Sequence, residues 1–168
     1  MHPDLQRAHD ALRAATAGLA PSSLAAAPPG KWTVAQIVEH LAKGYAGTAY
    51  VLGRCLEQDQ PKARPVTLKD RLLTFVVVGL GHLPEGRQAP EATRPSDVPP
   101  ADVVERALAA LGDLDAVAAR AEARFGARTP LVNHPIIGPL GVGRWRRFHW
   151  IHTRHHMKQV ARLRAGRR

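Results

Sequence analysis

Several features are scarce or missing, and each absence narrows the reading. A single cysteine, Cys55, cannot form an internal disulfide, so a stapled secreted scaffold is excluded. The longest strongly apolar run, LLTFVVVGLG at 72–81, is far too short to cross a membrane. The N-terminus carries mixed charges and no extended apolar core, so no signal peptide is expected. No zinc-finger spacing, aromatic RNA-binding strand motif, helix-turn-helix signature or internal repeat is present. Acidic residues stop at Glu122: beyond it lie 11 Lys and Arg, whereas residues 1–122 hold 13 basic against 14 acidic. The formal charge of +10 therefore belongs to the last quarter. Such a face could meet nucleic acid or an anionic substrate, or simply be a solvated helix surface.

What remains is a chain of 168 residues, 45% apolar, rich in alanine and leucine, with β-branched residues scattered rather than alternating. It is long enough to bury one core, and one all-α domain over 1–168 is expected. Five helical segments can be drawn, at about 3–18, 34–57, 67–79, 101–124 and 142–165. The second begins with Thr33 as N-cap and Gln36 three residues on, a capping box, with Trp32 and Ile37 at staple positions. Thr67 and Asp70 repeat the box before 67–79, whose three valines would also suit a strand. Val104, Leu108, Leu111, Leu114 and Ala118 form the expected inner stripe of the fourth segment. Two long irregular stretches, 81–100 and 126–141, separate the later helices; a loop of this length commonly covers or lines a site. Up-down packing of the long helices predicts a four-helix bundle with one short additional helix and two long loops.

The last helix, containing HWIHTRHHMKQV, carries four of the nine histidines. Val142, Trp145, His149, His152, His156, Val160 and Leu163 recur at steps of three and four and should face the core. His152 and His156 are an i, i+4 pair on that face, able to offer two imidazole nitrogens to one divalent ion. His155 projects to a flank beside Phe148 and Ile151. A third ligand must come from another helix, and His40 is the candidate. Gly44 and Gly47, one and two turns on, leave either open space for a ligand or room for close packing. Three neutral imidazoles leave a coordination position open, as in a catalytic site. Glu39 should point about 100° from His40, and no carboxylate base is clearly placed. Cys55 reads as an inert small hydrophobe.

Taken together, WTVAQIVEHL at 32–41 and HPIIGPLGVGRWRRFHWIHTRHHMKQV at 134–160 resemble the DinB/YfiT-like superfamily, most closely its DUF1569 branch. The carrying residues are His134, Pro135, Gly138, Leu140, Trp145, His152, His155, His156 and Gln159, with LPEGRQAP at 83–90 in support. The resemblance implies a helical bundle holding a divalent metal, zinc or nickel, through His40, His152 and His156. It also implies a homodimer, and in some relatives a transferase or hydrolase that uses a low-molecular-weight thiol.

Around that site, Gln159 is expected to hydrogen-bond a ligand or bound molecule. His149 and His134 stay open as neighbours or as a fourth ligand, and His82 could approach only if 81–100 folds over the cavity. Trp145 is expected in the core, and an exposed Trp150 would suggest a dimer face. Arg144, Arg146, Arg147, Arg154 and Lys158 flank the stripe; one could clamp a carboxylate, but each by default faces solvent. The expectation is a cytoplasmic metal-dependent enzyme acting on a small molecule. The alternatives are a non-enzymatic bundle with a structural or regulatory metal and a nucleic-acid-binding module, the latter resting on charge alone. No membrane association is expected.

Overall fold

The computed structural model describes residues 1–83 and 88–166. Four long helices form the frame: α1 (Pro3–Thr16), α3 (Val34–Glu57), α5 (Val103–Phe125) and α6 (Val142–Ala165). α3 lies along α5 and α1 along α6, while α3 and α6 meet over a smaller area. The core runs between them through Leu5, Leu12, Leu41, Leu52, Leu111, Leu114 and Val160. No helix among the described residues is long and apolar enough to cross a membrane.

The start of α3 follows from local chemistry. Gln36 N–H donates to the Thr33 hydroxyl oxygen (3.1 Å) and the Thr33 N–H donates to the Gln36 side chain (2.9 Å), completing the capping box. That start sets the phase of the helix and turns His40 inward. Beyond it, an added Cβ at Gly44 or Gly47 would meet nothing within 4 Å, so close helix packing is not the reason for these glycines.

The all-α expectation holds, but the bundle is more decorated than one extra helix and two plain loops. The linker after α1 contains a five-residue helix, α2 (Pro21–Ala25), and α1 itself ends at Thr16. The segment expected as one helix over 67–79 is α4 (Leu68–Thr74) followed by a π-turn, Phe75–Gly79. Three consecutive β-branched valines crowd an α-helix, and here the backbone widens instead. Glu91–Thr93 form a 3-10 turn within the proline-rich stretch. The motif residues 84–87 of LPEGRQAP lie outside the described residues. In α5 the buried stripe is Val103, Ala107, Leu111, Leu114, Ala118 and Ala121, while Val104 and Leu108 are only half-buried. The helix is rotated slightly, placing the small Ala107 against its neighbours.

The stretch 126–141 is not wholly irregular. It contains an antiparallel pair, β1 (Val132–His134) and β2 (Gly138–Leu140), with Val132 opposite Leu140 and His134 opposite Gly138. Gly138 has φ +79°, and a side chain there would collide with the Asp70 carboxylate. Only glycine meets both demands. Asp70 in turn is held by Arg64 through two bonds (2.6 and 2.8 Å) and by Thr67. The Arg64 guanidinium and the Thr67 N–H keep its carboxyl well below the usual range. This knot seats the hairpin immediately before α6.

Candidate metal centre

α3 and α6 bring three imidazoles together where they approach one another. His40 Nε2 lies 3.1 Å from His152 Nε2, which lies 3.0 Å from His156 Nε2. One ligand atom from each residue falls within 4.8 Å of the others. His40 and His156 are buried and His152 is half-buried.

The outer ring nitrogens of His40 and His156 decide which form those two imidazoles take. His40 Nδ1 is 2.8 Å from the Thr93 carbonyl, which can only accept, so that nitrogen carries the proton. His156 Nδ1 likewise donates to the Gln159 side-chain oxygen at 2.8 Å. In both rings Nε2 is left as a lone pair aimed at His152. A single proton on His152 Nε2 can satisfy only one of them. Three neutral imidazoles converging in this way form a donor set for a cation, and the outer N–H groups of His40 and His156 have the acceptors that metal-bound histidines ordinarily have.

Electrostatics favours the same protonation state. Burial pushes His40 below its ordinary value against the opposing Thr93 bond. Burial, then the nearby His40, brings His156 down to about 3. Burial, followed by His156 and His40, holds His152 well below the usual range. At neutral pH all three are uncharged, the form that binds a metal.

Gln159 stands where its position one turn after His156 suggested, and it does more than touch one ring. Its amide nitrogen reaches His155 Nε2 at 3.2 Å while its oxygen holds His156, so His155 sits on the flank as part of this relay. Phe148 stacks on His152 with ring centroids 5.3 Å apart, and Trp32 packs against His40 at 5.2 Å.

His149 and His134 lie close by, outside the converging set. His149 is buried, and its Nε2 donates to the Thr48 hydroxyl oxygen at 3.0 Å; Thr48 in turn donates to the Gly44 carbonyl. The remaining nitrogen, Nδ1, has no partner among the described residues. His134 accepts from the N–H groups of Ile136 and Ile137 through Nδ1, and its ring packs on Phe148 at 4.5 Å. Burial lowers His149 to about 3 and His134 to about 4. One turn further along, Thr153 donates to the His149 carbonyl (2.7 Å), so Tyr45 donates to Thr153 (2.5 Å) and ties α3 to α6.

The anchor that sequence reading missed is the Thr93 carbonyl. The proline-rich stretch does cover a site, by strapping onto α3. Ser96 donates to Glu39 from its N–H and hydroxyl (both 2.8 Å), Gln36 donates to the Ser96 carbonyl (3.1 Å), and Lys43 donates to the Arg94 carbonyl (2.8 Å). Burial disfavours ionised Glu39, but Ser96 and Lys43 outweigh it and lower its pKa. Glu39 thus faces the strap, and the cluster contains no carboxylate. A main-chain carbonyl leaves no side-chain signal; only the length of the loop hinted at it. His82 is exposed.

Of the flanking cations, Arg146 is buried beside Glu122, contrary to the solvent-facing default, because α5 offers a carboxylate at that level. Arg147 reaches Asp4 at 3.3 Å, and Arg154 lies over the half-buried Trp150 ring at 5.9 Å. Trp145 is in the core as expected. Cys55 is buried and its thiol is pushed up by that burial, consistent with an inert packing role.

The profile of the family described as "Protein of unknown function (DUF1569)" matches residues 4–163. No curated protein and no solved structure gives a match.

Proposed function

The chain belongs to the DUF1569 family over residues 4–163, and from that premise and its buried histidine cluster we propose that it is a divalent-metal protein, a metal-dependent enzyme of the thiol-transferase or hydrolase type. His40, His152 and His156 are the proposed ligands, and zinc or nickel the proposed ion, since both accept imidazole readily. The observation that carries the reading is the pinned tautomers: Thr93 and Gln159 each hold an Nδ1 proton, leaving Nε2 lone pairs to converge. When bound, such an ion lowers the pKa of a neighbouring water or thiol.

The chain's own groups favour a thiol over water as the nucleophile. Hydrolysis calls for a base to take the proton of water, and the cluster contains no carboxylate. An already acidic thiol needs less help. Gln159 and His155 form a hydrogen-bonded path from His156 towards the half-buried flank. Trp32 and Phe148 provide apolar walls that limit water around the imidazoles.

Chelation followed by reloading with zinc, nickel or cobalt tests the ligand set. Wild-type protein should retain one equivalent after desalting, and His40→Ala and His152→Ala should each lose it. Unchanged stoichiometry in both variants would show the assignment to be wrong. In the cobalt-loaded protein, a low-molecular-weight thiol should add a sulfur charge-transfer band. A protein that keeps its ion but shows no response to thiols would rule out the thiol-transferase arm, leaving a hydrolase or a structural metal.

A further inference from the structure

A second concave region lies away from the histidines. α4, its π-turn and the first turn of α6 line an open groove of about 550 Å³. Its walls include Val66, Phe75 and Val78, and its two charged side chains are Arg71 and Arg144. Arg144 precedes His152 by eight residues of α6, a rise of about 12 Å along the axis. The groove is therefore separate from the proposed metal centre, and the inference stands independently of it.

Three observations favour a ligand at this groove. Its volume lies in the range of small-molecule pockets, about 300–1,000 Å³, and it has their usual make-up of apolar walls with a few polar groups. Phe75, although it lines a groove, is left 59% exposed. The cations are also unmatched. Nearby arginines have partners: Arg64 holds Asp70, Arg146 holds Glu122 and Arg147 holds Asp4. Arg71 and Arg144 are exposed and have no acidic partner among the described residues. The groove thus joins two free guanidiniums to an apolar wall, and the backbone widens into a π-turn at the same place, a feature frequent at functional sites.

We propose that this groove binds an amphiphilic anion, a molecule with one carboxylate or phosphate head and an apolar body. The guanidiniums of Arg71 and Arg144 take the head through charge-assisted bonds, while Val66, Val78 and the Phe75 ring take the body.

Calorimetric titration of the full chain with decanoate, decyl phosphate, decanol and acetate, all below their micellar range, tests this. At least one decyl anion should bind, with decanol and acetate each at least tenfold weaker; comparing the two anions identifies the head. The Arg71→Ala/Arg144→Ala double variant should lose at least tenfold in affinity with an unchanged melting profile, and Arg106→Ala, remote from the groove, should lose none. Phe75→Ser should weaken binding through the body alone. Equal binding of decanol, undiminished affinity in the double variant, or failure of both anions to bind would overturn the proposal. So would a dimer that Phe75→Asp disperses and that decyl anions leave intact, since the face would then belong to a second copy of the chain.

Discussion

Gln159 shows how much of the proposed metal site would rest on a residue that supplies no ligand. Its oxygen fixes the His156 tautomer and its nitrogen steadies His155. Removing an outer partner of a metal-bound histidine commonly costs 10–100-fold in affinity. Gln159→Leu should therefore weaken zinc binding by about that factor in a competitive-chelator titration, while Gln159→Glu, which keeps an acceptor oxygen, should restore most of it. Equal affinities for the wild type and the leucine variant would mean that the tautomer is set elsewhere. Thr93 cannot be tested in this way, because it holds His40 through its backbone carbonyl.

Two glycines on different elements carry opposite expectations. Gly47 is exposed in the middle of α3, and a Cβ added there would meet nothing within 4 Å. Gly47→Ala should raise unfolding stability by about 0.5–1 kcal/mol, the usual helix-interior difference, and leave metal content unchanged. Gly138 combines positive φ with close contact to Asp70. Gly138→Ala should lower stability by about 1–3 kcal/mol, as overpacking usually does, because hairpin and α4 must separate. Urea midpoints of the metal-free proteins distinguish the two signs. The Thr33–Gln36 box that starts α3 was plain in the sequence, as was the extent of α6; the π-turn, α2 and the hairpin were not. Those elements depend on contacts with distant residues, whereas a cap is written within four positions.

For the whole molecule, buried neutral histidines make the metal-free fold sensitive to acid. His149 and His134 have folded values of about 3 and 4, against an ordinary value of 6.5. Between these limits the unfolded chain binds protons that the folded chain refuses, so stability is greatest above about pH 6.5 and falls as pH falls. At pH 5 the loss is about 2 kcal/mol for each such histidine, and the three converging imidazoles act in the same direction. Urea midpoints should therefore drop between pH 7.5 and pH 5; a constant midpoint would mean these rings ionise in place. Asp70, held low by Arg64, adds a further loss only below the ordinary carboxylate range. At pH 7.5, saturating zinc at about 1,000 times Kd should add about 4 kcal/mol.

The four long helices, the inward face of α6 and the pairing of His152 with His156 were already legible in the order of the residues. Helical periodicity and capping are local, and a spacing of four residues places two side chains on one face whatever surrounds the helix. The same pattern was enough to nominate His40. Packing in three dimensions was needed to bring His40 Nε2 to 3.1 Å from His152, to lay the Thr93 carbonyl on its outer nitrogen, and to turn Arg146 inward to Glu122. These are contacts between residues 24 to 112 positions apart. Their geometry is set by how helices pack and where a loop closes, and no local periodicity encodes that distance.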